Sequence, residues 1–292
     1  MADAGAATAA VRIGSRTSAL ARWQTDQVVA ALARVGVATA FTGVRTSGDR
    51  DQRASALTRG DGVFAAALED ALLARRIDLA VHSLKDLPTN LPDGLELACV
   101  MTRHDPRDAV VGSPLAALPA GARVGTASPR RAAFVRALRP DLEVVPVRGN
   151  VPTRVARVAA GEVHAVVLAV AGLARLDMAD QIAEILPLET FPPAPGQGAI
   201  AVEARTGEAP AGLTALNDAP SRRATAAERC LLRRLGGSCQ LPLGAVARIL
   251  ADGRLRLTAR LLGPDGVMRA ADLSGPCDED VVARIATALS GA

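Results

Sequence analysis

Of the 34 basic residues in this chain only one, Lys85, is a lysine. A sequence that uses arginine for its surface cations has kept one compact ammonium, next to a carboxylate, Asp86. The pair lies in Val81-His82-Ser83-Leu84-Lys85-Asp86-Leu87-Pro88, directly after an apolar run that reads as a buried strand. A carboxylate on a loop at a strand end can stabilise a developing cation and then move a proton. An ordinary surface Lys–Asp pair has the same spacing and contributes almost nothing. Local spacing does not choose between the two.

Three further segments put arginine at or near a helix start: Gly14-Ser15-Arg16-Thr17-Ser18, Gly125-Thr126-Ala127-Ser128-Pro129-Arg130-Arg131 and Arg148-Gly149-Asn150-Val151-Pro152-Thr153-Arg154. Ser128 and Asn150 suit the N-cap, and Pro129 and Pro152 the first turn. Arginine is the unusual choice there, because the positive end of the helix dipole disfavours a cation. Any one of these arginines could simply be solvated. All three together point to an anionic partner, held by free N–H groups, hydroxyls and guanidinium forks. Lastly, Leu235-Gly236-Gly237-Ser238-Cys239-Gln240-Leu241-Pro242 presents a thiol on a glycine-rich loop, where a ligand can come close. Inert burial suits Cys99 and Cys230 better than Cys239. A cysteine hydrolase would need a positioned histidine, for which there is no sequence cue.

These residues need a scaffold, and the first two thirds alternate strand-like and helical patterns as α/β proteins do. Strands are expected at Val11–Ile13, Phe41–Arg45, Leu79–His82, Leu95–Met101, Arg123–Gly125, Leu142–Val147, Ala165–Ala169 and Ala199–Val202. Helices are expected near Ser18–Val35, Val63–Arg75, Pro129–Leu138, Pro152–Ala160 and Met178–Ile185. Two stretches read as crossings between lobes: Met101 to Arg123, and the Pro/Gly-rich Phe191–Gly198. Two crossings imply a hinged cleft, a favoured ligand site. Past Asp218 a helix, Ser221–Leu235, precedes three β-like runs, Gly244–Ile249, Leu255–Leu262 and Val267–Leu273, and a last helix, Asp278–Leu289. Asp-Gly turns join the runs, so a small α+β domain with a three-stranded antiparallel sheet is expected. No internal repeat is visible.

Composition narrows the function. Hydrophobic residues make up 49% of 292, which excludes disorder. The longest apolar stretch, Ala165 to Ala174, is too short to span a membrane, and no basic n-region marks a signal peptide, so a cytoplasmic protein is expected. The four cysteines and three histidines are scattered, without metal-ligand spacing, so no metal site is expected. A net charge of +4, 2% aromatics and dispersed arginines argue against nucleic acid.

Taken in order from Arg12 to Gly275, RIGSRTSALARWQ, AVHSLKDLPT, HDPRDA, GTASPRR, VRGNVPTR, AVVLAVAGLARL, PAPGQGAIAVE and GGSCQLPLG resemble the porphobilinogen deaminase (hydroxymethylbilane synthase) family. The resemblance implies two periplasmic-binding-protein-like α/β lobes around a cleft, residues 1–101 with 198–218 and residues 102–197, plus a cofactor-anchoring α+β domain over 219–292. It implies a dipyrromethane cofactor in thioether linkage to Cys239 and a catalytic carboxylate, Asp86. Ser83, Lys85, Thr126, Ser128, Arg130, Arg131, Arg148 and Gly149 would contact the cofactor, and Arg16, Ser18, Arg154 and Arg175 the substrate, porphobilinogen. The implied reaction joins four porphobilinogen units head to tail with loss of ammonia and releases a linear tetrapyrrole by hydrolysis, in a monomer without metal, nucleic acid or membrane partner. One departure stands at Asp61, where many members carry lysine; Arg59 could supply the charge instead. The rival from another class, a non-catalytic anion-binding protein on the same lobes, leaves Cys239 and the third domain without a role.

Overall fold

The computed structural model describes residues 10–44, 65–237 and 240–291, so Asp61, Arg59 and Cys239 lie outside the described residues. The first sheet contains β1 (Val11–Ser15), β2 (Thr39–Gly43), β3 (Leu79–Ser83) and β4 (Leu95–Val100). The second contains β5 (Asp108–Gly112), β6 (Arg123–Gly125), β7 (Glu143–Val145), β8 (Ala165–Ala169) and β9 (Ile182–Ile185), after which β10 (Ile200–Arg205) returns to the first. The orders are β2-β1-β3-β10-β4 and β7-β6-β8-β5-β9. In each, four of the five strands run in one direction and the fourth in the order, β10 or β5, is antiparallel to both neighbours. The two sheets therefore repeat one topology, although no repeat is visible in the sequence. Each receives its antiparallel strand directly after the chain has crossed from the other.

Helices cover the sheets where their sequences allow. On the first sheet lie α1 (Ala19–Arg34) and α2 (Ala66–Leu73). On the second lie α3 (Pro129–Leu138), α4 (Val151–Ala159) and the short α5 (Val170–Ala174). Ser18, Ser128 and Asn150 accept N-cap bonds from Ala21, Arg131 and Thr153. The central strands β3 and β8 are buried on both faces, which is why each reads as an unbroken apolar run. Under α1 the core is Ile13, Val28, Leu32, Leu79, Val81 and Val202. In the second sheet Phe134 and Phe191 pack edge to face at 5.3 Å.

After α6 (Ala219–Arg234) come β11 (Leu243–Ile249), β12 (Leu255–Leu262) and β13 (Met268–Gly275), an antiparallel sheet, then α7 (Asp278–Ser290). In β12 Leu255, Leu257, Ala259 and Leu261 point into the core with Leu231, Ile285 and Leu289, and intervening residues are more exposed. Among the described residues no helix is long and apolar enough to cross a membrane.

Two expectations need correction. Met178–Ile185 is not a helix: a 3₁₀ turn, Ala179–Gln181, leads into β9. Ile182 and Ile185 fit a helical period, but Ile185 is paired with Ala109 and Ile182 with Val111 of β5, so tertiary pairing decides. The stretch from Met101 to Arg123 is not wholly a crossing either. It carries β5, whose buried Ala109, Val110 and Val111 form a strand of the second sheet. The crossing is confined to the residues between β4 and β5.

The third sheet meets the second crossing tightly. Ala245 N donates to Pro193 O at 2.8 Å, and a Cβ on Gly244 would lie 2.7 Å from Phe134 Cε2 and collide with Pro192 O. Gly244→Ala should therefore destabilise the protein by about 1–3 kcal/mol. Urea unfolding checks this; an unchanged midpoint would contradict the close packing described.

Candidate active site

In open α/β sheets ligands sit beyond the carboxyl ends of the strands, and the singled-out segments lie there. β1 runs into Arg16 and Ser18, β3 into Lys85 and Asp86, β6 into Thr126 and Ser128, and β7 into Arg148 and Gly149. Ser83 ends β3, and its Oγ accepts a bond from Gln24 Nε2 of α1 at 2.7 Å. Leu84–Asp86 then make a 3₁₀ turn, held by Leu84 N donating to Ala199 O at 3.0 Å. Asp86 and Lys85 are both half-buried.

Lys85 Nζ donates to Gln197 Oε1 at 3.0 Å, and Gln197 Nε2 donates to Asp108 Oδ1 at 2.9 Å. Asp108 is fully buried and also receives Arg130 Nη2 at 2.6 Å and Arg131 Nη2 and Nε at 2.7 and 3.1 Å. Burial alone would push the Asp108 carboxyl up, but the two guanidinium groups outweigh it and hold the carboxyl well below the usual range. Arg130 further donates to Pro192 O at 2.8 Å, and Arg131 to Val167 O at 3.0 Å. Phe134 and Phe191 each lie within 6 Å of the Arg130 guanidinium. The helix-start arginines of α3 thus have an anionic partner inside the chain, where the sequence pattern suggested only an absent one.

That partner does not balance the charge. Lys85, Arg130, Arg131 and Arg154 form one electrostatic group with two carboxylates, Asp86 and Asp108. Burial and repulsion by Arg131 and Arg130 push the Lys85 ammonium down to about 8, against the attraction of Asp86 and Asp108. Arg154, whose Nε donates to Gly149 O at 2.7 Å, is pushed down to about 10 by burial and Arg131, against Asp86. Arg175 is buried, donates to Gly198 O at 2.6 Å and lies over the Trp23 ring; burial brings it to about 10 as well. Its Nε, like that of Arg130, is buried without a hydrogen-bond partner.

The remaining candidates have local tasks. Ser18 and Ser128 cap helices, and Thr126 Oγ1 accepts from Ser128 N at 3.1 Å. Gly149 has φ +109°, and a Cβ there would lie 2.9 Å from Thr153, so the turn before α4 requires glycine. Arg16 is half-buried and Arg148 exposed at their strand ends. Asp108 and Gln197 stand within two of the quoted motifs, HDPRDA and PAPGQG, yet nothing local gives them a role. Glu228 and Arg103 were also missed. Fully buried Glu228 accepts from Arg103 Nη1 and Nη2 at 2.6 and 3.1 Å, from Gly196 N at 2.7 Å and from Ala247 N at 2.7 Å. It ties α6 to both crossings.

Between β3, β10 and α2 three buried titratable residues meet. His82 Nε2 lies 3.1 Å from Glu203 Oε2, and Glu69 of α2 is raised to about 7 by burial, Glu203 and Asp70. The folded chain therefore holds the Glu69 proton more tightly than the unfolded chain does. That contribution to stability is complete below the ordinary carboxyl pKa and is lost as pH rises to about 7.

Comparison with known proteins places this geometry. The family profile described as "Porphobilinogen deaminase, dipyromethane cofactor binding domain" matches residues 11–211, and "Porphobilinogen deaminase, C-terminal domain" matches 223–288. The chain belongs to the porphobilinogen deaminase family. Porphobilinogen deaminase of Thermus thermophilus is 49% identical over 88% of this chain and 86% of that protein. The Chromobacterium violaceum enzyme is 48% identical over 91% and 89%, and that of Thermobifida fusca 46% over 89% and 83%. Among solved structures, the methionine binding protein MetQ is similar at 9% identity and TM-score 0.46, covering 75% of this chain and 92% of that one; so remote a likeness carries no argument. As in the porphobilinogen deaminase family, the chain is an enzyme of tetrapyrrole synthesis, and its cofactor is dipyrromethane. The site fits that group: a surplus of partly buried cation, with orphaned guanidinium N–H groups, suits pyrroles that carry acetate and propionate arms.

A Glu69→Gln variant cannot ionise, so its unfolding midpoint should gain on that of the parent as pH rises from about 5 to about 8. Thermal unfolding across that range checks it, and parallel curves would contradict the raised Glu69 pKa.

Proposed function

We propose that the protein is a hydroxymethylbilane synthase, joining four porphobilinogen units head to tail with loss of ammonia and releasing the linear product by hydrolysis. The observation that carries this reading is the cation surplus around one carboxylate, Asp86, at the carboxyl ends of the strands. We assign the covalent cofactor to Cys239, which follows α6 in the sequence. When bound, dipyrromethane supplies a nucleophilic pyrrole carbon as the primer.

The chain's own groups divide the remaining work. Ser83, Lys85, Thr126, Ser128, Arg130, Arg131, Arg148 and Gly149 hold the primer's carboxylates, with Lys85 coupled electrostatically to Asp86, Arg130 and Arg131. Arg16, Ser18, Arg154 and Arg175 receive the acetate and propionate of the incoming porphobilinogen. The Asp86 carboxylate stabilises positive charge on the pyrrole nitrogen as ammonia departs, and then takes up the proton released when the ring regains aromaticity. Lysine at position 85 suits this site, since its compact ammonium donates to Gln197 Oε1 and so joins the Asp108 cluster.

The domain reading of residues 1–101 with 198–218, 102–197 and 219–292 is supported by the sheets, each of which falls within one range. We assign a cytoplasmic, monomeric enzyme without nucleic-acid partner.

Incubation with porphobilinogen should release ammonia and a linear tetrapyrrole. Asp86→Asn removes one charge at nearly constant shape and should lower turnover by about 10²–10⁴-fold, with the unfolding midpoint unchanged. Near-parental turnover in that variant would remove Asp86 from the mechanism.

A further inference from the structure

Next to Glu228 on α6 stands Arg229, which reaches the chain leaving the Asp86 turn. Its Nη1 donates to Leu87 O at 3.1 Å, and its Nη2 to Pro88 O at 2.6 Å and Thr89 O at 3.4 Å. Leu87 closes the turn, its N donating to Leu84 O at 3.2 Å, and its side chain is buried against Leu84 and Val100. Residues 87–89 belong to no helix or strand, so their carbonyls lack ladder partners of their own. One planar fork grips three successive carbonyls, a task for which an ammonium is poorly shaped. α6 in turn is fastened through Glu228 to both crossings.

We propose that Arg229 is a positioning residue for Asp86, fixing the turn that carries the carboxylate to the helix whose end leads in sequence to Cys239. The inference rests on the reading of Asp86 as the catalytic carboxylate. The arginines assigned to porphobilinogen, Arg16, Arg154 and Arg175, stand outside the turn Leu84–Asp86, so loosening the turn leaves its binding intact and misplaces only the group that acts on it. A displacement of the order of an ångström at a catalytic group costs about 10²-fold in rate.

The test uses the holoenzyme with Arg229→Met, which keeps the bulk and loses the donors, and Arg229→Lys, which reaches fewer carbonyls. In Arg229→Met kcat should fall roughly 10- to 100-fold while KM for porphobilinogen changes less than about twofold. Intact mass should still show two pyrrole units, and hydrogen exchange should quicken at residues 84–89 before it does elsewhere. Arg229→Lys should show the same split with a smaller loss, and it decides the matter if the methionine variant does not fold. In an Asp86→Asn background Arg229→Met should cost less than about twofold more, because the two act as a unit. Parental kcat in both Arg229 variants, a loss confined to KM, or an undiminished loss in the Asp86→Asn background would overturn the proposal. If Asp86→Asn itself keeps full turnover, the reading of Asp86 has failed; if Asp86→Asn fails and the Arg229 variants do not, this inference alone has failed.

Discussion

A carboxylate with no exposure, Asp108, holds two guanidinium groups and a glutamine amide at the place where the chain enters its second sheet. Burying an ionised carboxylate is costly unless it is paired and fully bonded, and this one is both. The net stabilisation of such a cluster is small, but removing one member leaves a stranded charge and costs about 3–5 kcal/mol. Its structural value is placement. β5, α3, the second crossing through Gln197, and Lys85 at the end of β3 in the first sheet all meet there. The two sheets cannot separate without disturbing it.

The same cluster explains why the site attracts anions. Asp108 neutralises part of the charge of Arg130 and Arg131, while Arg154 and Lys85 are pressed toward their neutral forms by burial and by their cationic neighbours. A ligand bearing several carboxylates relieves that pressure, as pyrroles with acetate and propionate arms would. Glu228 performs the matching task for the third unit, where the charge of Arg103 is met bidentately and two backbone N–H groups complete the shell. The third sheet is thereby fixed to the crossings.

Local rules made much of this legible. Ser128-Pro129 and Asn150-Val151-Pro152 marked the starts of α3 and α4, and the unbroken apolar runs at Leu79 and Ala165 marked the two central strands. Asp-Gly turns at Asp252-Gly253 and Asp265-Gly266 marked the last sheet. What escaped was non-local. β5 and β9 are short: β5 becomes a strand by pairing with β8 and β9, and β9 by pairing with β5, which no window of sequence contains. The arginine at the start of α3 broke the dipole rule visibly, but its partner lies 22 residues away on a strand that was read as a crossing. Glu228 reaches across 125 residues to Arg103 and looked like any charge on an amphipathic helix. The candidates Asp86 and Cys239 stood out by residue type and by resemblance, whereas the groups that hold the Asp86 turn did not.

The central claim is that this cation-rich site serves a cofactor assembled from the substrate and carried by Cys239. Intact mass of the purified protein tests it most directly. A mass exceeding that of the chain by two linked pyrrole units, and absent from Cys239→Ser, is the predicted result. A parent protein of bare chain mass that gains no adduct after incubation with porphobilinogen would contradict the account.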